Sequence, residues 1–261
     1  AASLTLTSLR RSAVENRPAV EAALSLGLGA RAAFARETRA AVRTGRPHQH
    51  VVLNAAKVVS MHDDPALAEI VRSCDFVLAD GQPIVWFSKL AGRPLPTRVA
   101  GIDLFVRLVA TAADDGASVY FLGARQHVVE RVRDIFQERH PALQVAGVHD
   151  GFWADDEAMV AEIRAARPDY LFLAIPSPKK EHWLHAHLAD LGVAFVMGVG
   201  GSFDVVAGEV TRAPRWMQVI GMEWSWRLIK EPRRMFKRYA VGNSRFLALC
   251  ASELWRIRRG R

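Results

Sequence analysis

One aspartate of this sequence stands where the carboxylate of an α/β enzyme is expected. Asp80 directly follows the apolar run Phe76–Ala79 and opens the tetrapeptide Asp80-Gly81-Gln82-Pro83. Ligands of α/β sheets bind at the carboxyl ends of the strands, so a carboxylate here can take a proton from a ligand or hold one of its hydroxyl groups. The same position also suits a helix N-cap or a turn, and the residues alone leave both roles open.

Other polar residues at predicted element boundaries can serve the same ligand. Asn54 ends the apolar run Val51-Val52-Leu53, where its amide binds a sugar hydroxyl or, more commonly, caps the next helix. Arg98 precedes the predicted start of a helix, and a guanidinium beside a helix N-terminus suits a phosphate. Asp103 is the predicted N-cap of that helix, which begins at Leu104.

A glycine-rich turn follows the last predicted strand. Gly200 and Gly201 precede Ser202, Phe203 and Asp204, and consecutive glycines let a backbone approach a ligand closely and present its N–H groups. The turn lacks the dinucleotide-binding fingerprint, because Phe203 occupies the position of the third glycine. This argues against an enzyme that uses NAD.

The residue types that bind metals form no recognisable site in the sequence. The chain has two cysteines and nine histidines. Two cysteines are too few for a disulfide framework. The histidines form no H-E-x-x-H motif. We therefore expect no metal and no cofactor, and the low cysteine content fits a reducing cytoplasm.

The elements that position these residues alternate along the chain. Short runs rich in Val, Phe and Leu, typical of strands buried on both faces, are separated by amphipathic stretches. This alternation predicts an α/β fold with a Rossmann-like parallel sheet flanked by helices. The predicted strands are residues 50–53, 75–79, 118–122, 143–148, 170–175 and 193–199. The predicted helices are residues 65–73, 104–113, 127–139, 155–166 and 180–191.

We divide the chain into an N-terminal segment of uncertain assignment (1–45), an α/β body (46–208) and a basic helical C-terminal appendage (209–261). Residues 46–117 are either a second lobe or part of the same sheet.

The whole chain has a net charge of +8, with 24% charged and 50% hydrophobic residues, which excludes a disordered or collagen-like protein. From Arg227 onwards there are eleven Lys and Arg but two Asp and Glu, so the partner of the appendage should be anionic.

One helical pattern in the appendage leaves two structures open. Phe246, Cys250, Leu254 and Ile257 form one apolar stripe beside several arginines. This is typical of an interfacial helix whose apolar face enters the acyl boundary of a membrane, and equally of a terminal helix packed on the body with a solvated basic face. The longest charge-free stretch, between residues 190 and 204, falls short of the roughly 20 apolar residues of a spanning helix, so any membrane contact is expected to be peripheral.

Ten short motifs, taken in chain order over about residues 50–245, resemble the WecG/TagA/CpsF glycosyltransferase family (glycosyltransferase family 26). Each motif alone is weak evidence for the family, but the ordered set of motifs is specific to it. They are Asn54-Ala55; Asp80-Gly81-Gln82-Pro83; Arg98-Val99-Ala100-Gly101-Ile102-Asp103-Leu104; Phe121-Leu122-Gly123; Asp150-Gly151-Phe152; Ser177-Pro178-Lys179-Lys180-Glu181; Gly200-Gly201-Ser202-Phe203-Asp204; Arg212-Ala213-Pro214-Arg215-Trp216-Met217; Glu223-Trp224-Ser225-Trp226-Arg227; and Glu231-Pro232-Arg233-Arg234.

The resemblance implies an enzyme that moves a sugar of N-acetylmannosamine, glucose or uronic type from a UDP-sugar to a polyprenyl-diphosphate-linked sugar. It implies inversion of the anomeric configuration without a metal, in the synthesis of cell-surface polysaccharides such as wall teichoic acid and exopolysaccharide. It also implies a cytoplasmic enzyme, peripheral on the inner face of the plasma membrane, whose appendage meets an anionic lipid surface. Such an enzyme can self-associate, although no interface is readable in the sequence.

The resemblance also implies the roles of single residues. Asp80 is the general base, which takes the proton of the acceptor hydroxyl. Cationic side chains must then stabilise the diphosphate that leaves. The implied diphosphate-stabilising residues are Arg227, Arg234 and Arg238. The implied membrane contacts, which meet lipid phosphates or the diphosphate of the acceptor, are Arg233, Lys237, Arg256, Arg258 and Arg259. The implied substrate-binding residues are Asn54, Arg98, Asp103, Lys180, Glu181, Gly200, Gly201, Phe203 and Asp204.

The chain departs from the family pattern at Lys180, where Gln is usual, and at Val52, where Thr is common. Lys180 replaces a neutral amide with a cation. Either the fold simply tolerates it, or Lys180 pairs with a carboxylate or phosphate, such as that of a uronic acid donor.

The competing function is that of a nucleic-acid-binding α/β protein that uses the basic appendage. Its charge fits, but the appendage has no recognised nucleic-acid-binding motif.

Overall fold

Six strands of this protein form one parallel sheet. The computed structural model describes residues 30–95, 97–219, 222–230 and 232–259, with the backbone alone for residues 30, 31, 219, 224, 227 and 232–241. The strands are β1 (His48–Leu53), β2 (Phe76–Ala79), β3 (Ser118–Gly123), β4 (Gln144–His149), β5 (Tyr170–Ala174) and β6 (Phe195–Gly198). Their order across the sheet is β2-β1-β6-β5-β3-β4.

Helices connect the strands and cover both faces of the sheet, as parallel connections require. Those of the body are α1 (Ala30–Val42), α2 (Ala55–Asp63), α3 (Pro65–Ser73), α4 (Gln82–Leu90), α5 (Gly101–Asp115), α6 (Gln126–Arg139), α7 (Asp156–Ala166), α8 (Lys179–His187) and α9 (Ser202–Val206). Those of the appendage are α10 (Arg215–Val219), α11 (Glu223–Lys230) and α12 (Pro232–Arg259).

One face of the sheet has an aromatic core beneath α1, α5 and α6. The ring of Phe105 on α5 contacts those of Phe121, Phe136, Phe172 and Phe203. The other face carries two further clusters, one beneath α2, α3 and α4 and one beneath α7 and α8. Burial on both faces explains the continuous apolar runs of the strands.

The structure confirms the predicted fold class and all six predicted strands. Residues 46–117 are part of the same sheet, since they supply β1 and β2. Helix α1 was not predicted, although Phe34 and Ala35 lie in the aromatic core, so part of the N-terminal segment packs with the body. Helix α5 begins at Gly101 with Ala100 as its N-cap, so the prediction that Asp103 caps it is wrong; Asp103 lies in its first turn.

The apolar stripe of α12 packs on the body. Phe246 and Cys250 are buried in the cluster beneath α2, α3 and α4, and the partly buried Leu254 and Ile257 pack against it. The rings of Phe246 and Phe87 are in contact. The interpretation in which this stripe enters a membrane is therefore wrong, and the packed-helix alternative is correct. None of the helices in the described ranges is long and apolar enough to cross a membrane.

Candidate active site

The ends of two neighbouring strands bring Asn54 and Asp80 together. Leu53 of β1 pairs in register with Ala79 of β2, so the residues that follow emerge side by side at the carboxyl edge of the sheet. The backbone N–H of Asp80 donates to the carbonyl of Leu53 at 2.8 Å. A Cβ added to Gly81 would lie 3.7 Å from both Cα and Cβ of Asn54, so the small residue after Asp80 lets the two turns touch.

The side chain of Asn54 caps helix α2. Its Oδ1 accepts a hydrogen bond of 3.0 Å from the backbone N–H of Lys57, which confirms the capping role that Asn favours at a helix start. Because the cap uses the amide oxygen, a ligand at this point would be held through the amide nitrogen. Capping and substrate binding are therefore compatible at Asn54.

The N-terminus of α5 packs directly against Asp80. A Cβ added to Gly101, the first residue of α5, would lie 3.4 Å from Oδ2 of Asp80. The positive end of a helix dipole favours a nearby carboxylate in its ionised form. Asp80 is half-buried at the sheet edge, so the fold places a carboxylate beside the start of α5 where it remains partly accessible.

Arg98 and Asp103 flank this helix start and bind two residues of the appendage. Arg98 donates from Nη1 to Oε2 of Glu223 and from Nη2 to the carbonyl of Gln218, both at 2.9 Å. Arg212 donates from Nη1 to Oδ1 of Asp103 at 2.6 Å and from Nε to Oε1 of Glu223 at 3.2 Å. We call Arg98, Asp103, Arg212 and Glu223 the four-charge network.

The four-charge network changes the interpretation of its members. The side chains of Arg98 and Asp103, expected at the substrate, are here engaged by the appendage. The network also raises the pKa of Arg212, because hydrogen bonds to Asp103 and Glu223 outweigh the effect of burial. Sequence reasoning assigned no role to Arg212 or Glu223. Their partners, Asp103 and Arg98, lie more than a hundred positions away, and no local signal links residues that are so far apart in the chain.

A second charged cluster lies buried beneath the ends of β1, β6 and β5. Lys57 forms an ion pair with Oε1 of Glu181, and Nζ of Lys180 lies 3.2 Å from the same oxygen. The side chains of Lys57, Lys180 and Glu181 are 4%, 9% and 2% exposed. Burial, and then the charge of Lys180, lower the pKa of Lys57 to about 8. Burial acts to raise the pKa of Glu181, but Lys180 and Lys57 outweigh it and hold that pKa below its ordinary value.

The carboxylate that Lys180 meets in this structure is therefore that of its neighbour Glu181. With two lysines sharing one carboxylate, the cluster has a formal charge of +1 when both lysines are protonated, and the stem of Lys180 lies beside Gly198, just before the glycine-rich turn. Lys57 was not predicted, and its place in the first turn of α2, three residues after the capping Asn54, was the signal available.

The glycine-rich turn itself leaves the end of β6. Gly200 adopts a φ of +52° and has open space where a Cβ would be, so its backbone is accessible. Phe203 is fully buried, and its ring packs on Phe105 and Phe121. The ring of Phe203 therefore supports the turn from beneath, which leaves the backbone of Phe203 as the part predicted to contact the substrate. Asp204 is half-buried, and its Oδ2 lies 3.8 Å from a Cβ placed on Gly201.

A crevice is expected between β3 and β5, because the chain leaves β3 towards β4 on one side and leaves β5 towards β6 on the other. Gly123, with a φ of +122°, lies so close to β5 that a Cβ would meet the backbone of Ala174 at 2.6 Å. A Cβ on Gly151 would lie 3.2 Å from the amide nitrogen of Ala124. Phe152, which follows, is 74% exposed.

The appendage cations predicted to meet the diphosphate or the membrane divide into two groups. Arg256, Arg258 and Arg259 are exposed at the end of α12. Arg256 pairs with Glu253 at 2.6 Å, and the guanidinium of Arg259 lies 3.7 Å from the ring centroid of Trp255. The side chains of Arg227, Arg233, Arg234, Lys237 and Arg238 lie outside the described part of the structure. Among the side chains that are described, no three or more His, Cys, Asp or Glu are grouped so that they could hold a metal ion.

Comparison with known proteins bears on the site as a whole. The chain is 36% identical over 171 residues to the N-acetylglucosaminyldiphosphoundecaprenol N-acetyl-beta-D-mannosaminyltransferase of Bacillus spizizenii, a match that covers 66% of each protein. It is 34% identical over 166 residues to the protein of the same name from Bacillus subtilis, covering 64% of the chain and 65% of that protein. It is 32% identical over 170 residues to that of Staphylococcus aureus strain MW2, covering 65% and 67%.

The matches thus span about two thirds of these relatives. A sequence model of the glycosyl transferase WecG/TagA/CpsF family matches residues 25–260, a range that includes both charged clusters and all but the last residue of the appendage. The chain belongs to the glycosyl transferase WecG/TagA/CpsF family.

Proposed function

We propose that this protein is a membrane-associated glycosyltransferase that moves a sugar from a UDP-sugar to a polyprenyl-diphosphate-linked sugar. The observation that carries the proposal is the meeting of Asn54, Asp80 and the start of α5 at the carboxyl edge of the sheet. Family membership and the names of the relatives support the acceptor class, since those names describe transfer to an N-acetylglucosaminyl-diphosphoundecaprenol.

Asp80 acts as the general base in this proposal. An acceptor hydroxyl hydrogen-bonded to its carboxylate loses its proton as the oxygen attacks the anomeric carbon of the donor. A single displacement of this kind inverts the anomeric configuration. The carboxylate must be ionised to work, and the helix dipole of α5 favours that state.

The nucleotide of the donor is proposed to lie along the carboxyl edge from the β3–β5 crevice towards β6. At Gly123 and Gly151 the backbone packs closely and no side chain projects into the crevice. The accessible backbone at Gly200 can present N–H groups to the diphosphate. Asn54 then lies between the diphosphate and Asp80, where its amide nitrogen can donate to a sugar hydroxyl.

The leaving diphosphate needs positive charge. The surplus charge of the cluster formed by Lys57, Lys180 and Glu181 supplies part of it from beneath the turn. The remainder is proposed to come from Arg227, Arg234 and Arg238 of the appendage. This division means that the body alone is insufficient and that the appendage must be docked for the reaction.

The exposed end of α12 is proposed to hold the protein on the inner face of the plasma membrane. Arg256, Arg258 and Arg259 can meet lipid phosphates, and Trp255 suits the headgroup layer. The competing interpretation of the basic appendage as a nucleic-acid-binding element gains no support from the family match. Binding to DNA or RNA that exceeds binding to anionic vesicles at equal salt would reverse this preference.

An activity panel tests the proposal. Several UDP-sugars are crossed with polyprenyl-diphosphate-sugar acceptors while UDP release and lipid product are measured, with and without a chelator. We expect release that depends on the acceptor, and a fall in kcat of about 10²–10⁴-fold in Asp80→Asn. The matched control is Asp114→Asn, at an exposed position of α5. Equal activity of Asp80→Asn and wild type, with the fold intact, would refute the role of Asp80.

A further inference from the structure

The four-charge network joins the two parts of the chain that the proposed reaction requires together. Arg98 and Asp103 come from the body, and Arg212 and Glu223 come from the appendage. Glu223 accepts a hydrogen bond from each of the two arginines, one on each carboxylate oxygen. Arg212 donates hydrogen bonds to both carboxylates of the network. Each residue of one part thus has a partner in the other.

The composition of the network is that of a structural connection. Two guanidinium groups and two carboxylates leave no net charge, and the four side chains are only 16% to 27% exposed. Both terminal nitrogens of Arg98 already have acceptors in the appendage, at Glu223 and Gln218. A phosphate could reach these nitrogens only by displacing the Glu223 carboxylate, which is itself held by Arg212.

The network lies on both sides, in sequence, of the glycine that lies beside Asp80. Gly101, on which a Cβ would lie 3.4 Å from Oδ2 of Asp80, stands three residues after Arg98 and two before Asp103. On the appendage side, Glu223 is the first residue of α11, the helix that carries Arg227 one turn further on. The network therefore ties the start of α11 to the start of α5.

We propose that Arg212 and Glu223 are positioning residues, which hold α10 and α11 against the start of α5 and thereby dock the appendage beside Asp80. They act through the groups that they place and not through contact with the substrate. The inference rests on the proposed glycosyltransferase function for its kinetic part, whereas the docking itself can be measured without any activity.

Hydrogen exchange of the backbone tests the docking. The variants are Glu223→Gln and Arg212→Gln in the full-length protein, and the measured segments are residues 211–219 and 222–230. We expect exchange in both segments to become faster by about tenfold or more in each variant, because the contacts that close the segments onto the body are lost. The melting temperature of the body serves as the check on folding.

A matched control comes from a second ion pair between the appendage and the body. Arg245 of α12 donates two hydrogen bonds, of 2.8 and 2.5 Å, to Asp63 at the end of α2. Asp63→Asn removes this pair but leaves the four-charge network intact. We expect exchange in residues 211–219 and 222–230 to stay within about twofold of wild type in this control.

Steady-state kinetics test the positioning. Loss of docking is expected to lower kcat by about tenfold or more while KM for the donor changes by less than about threefold, since the missing interactions act on the leaving group in the transition state. Arg212→Lys keeps the charge but not the two-pronged geometry, so it should recover part of the kcat lost in Arg212→Gln. Asp63→Asn should keep the kcat of wild type.

Three outcomes separate the alternatives. Lost activity with unchanged exchange would overturn the proposal, because Glu223 or Arg212 would then act at the substrate itself. Faster exchange with unchanged kcat would overturn the positioning role, because docking would then be unnecessary for the reaction. Faster exchange in a protein whose wild type transfers no sugar would support the docking and reject the proposed function.

Discussion

The side chain of Lys180 crosses the backbone of Gly198 at the end of β6. A Cβ placed on Gly198 would lie 2.5 Å from Cε of Lys180 and 2.8 Å from its Cδ. Glycine at this position therefore lets a buried lysine reach Glu181 across the strand. The strand end and the charged cluster depend on each other, although 17 residues of sequence separate them.

Gly198→Ala is expected to destabilise the protein by about 1–3 kcal/mol, because the added methyl group displaces the stem of Lys180 in a packed interior. Urea unfolding measures the change. The control is Gly242→Ala on α12, where a Cβ meets nothing within 4 Å; alanine there should stabilise the helix by about 0.5–1 kcal/mol. Equal effects of the two substitutions would contradict the close approach of Lys180.

Lys180→Gln restores the neutral amide usual in the family and removes the surplus charge of the buried cluster. We expect a loss in kcat/KM of about tenfold or more for donors whose sugar carries a carboxylate, with a smaller loss for neutral donors. A donor panel measures the ratio. The same ratio in wild type and variant would show that Lys180 does not recognise the donor and serves only to pair with Glu181.

The two cysteines should resist alkylation while the protein is folded. Burial raises the pKa of the Cys74 and Cys250 thiols to about 12, against an ordinary pKa of 9.0. The folded protein thus keeps both protons at pH 8, and thiolate is the reactive form. Mass spectrometry after iodoacetamide treatment should find both residues unmodified until denaturant is added.

The same shifts set the direction of a pH effect on stability. Above pH 9 the unfolded chain loses thiol protons that the folded chain retains up to about pH 12. The unfolded state then binds fewer protons, so the free energy of unfolding contributed by these groups is intact below pH 9 and falls as pH rises above it. Alkylation of Cys250 alone, with Cys74 protected, would show that α12 leaves the body while the sheet stays folded.

The exposed end of α12 should control binding to anionic vesicles. The triple substitution Arg256→Gln, Arg258→Gln and Arg259→Gln is expected to weaken binding by about 100-fold, at about 1 kcal/mol for each cation near the surface. A vesicle sedimentation assay at physiological salt measures this. The matched control removes three exposed cations of the body, by Arg46→Gln, Arg131→Gln and Arg139→Gln. An equal loss in both triples would show that only net charge matters.

The sequence pattern predicts the sheet well, because strands buried on both faces require continuous apolar runs. All six strands lie within two residues of the predicted bounds. The position of Asp80 is predictable for the same reason, since a carboxylate directly after such a run emerges at the ligand-binding edge. The capping role of Asn54 is predictable from residue type and from the helix that follows it.

The tertiary partners could not be predicted in this way. The contacts of Arg98 with Glu223 and of Arg212 with Asp103 join residues that only the docked appendage brings together. The burial of Phe203 follows from its packing on the rings of Phe105 and Phe121, and a glycine-rich turn gives no sign of it. Nothing in the periodicity of α12 distinguishes a lipid-facing stripe from one that packs on protein, because both require the same apolar face.

Helix α12 also packs along α2, and α2 begins directly after Asn54. Helix α12, which carries the exposed arginines, therefore packs against α2, the helix that Asn54 caps. If the end of α12 binds a charged surface, the orientation of the carboxyl edge of the sheet relative to that surface is restricted. In the proposed function, the crossing of these two helices would therefore set the tilt of the body over the lipid, and with it the direction from which a lipid-borne acceptor reaches Asp80.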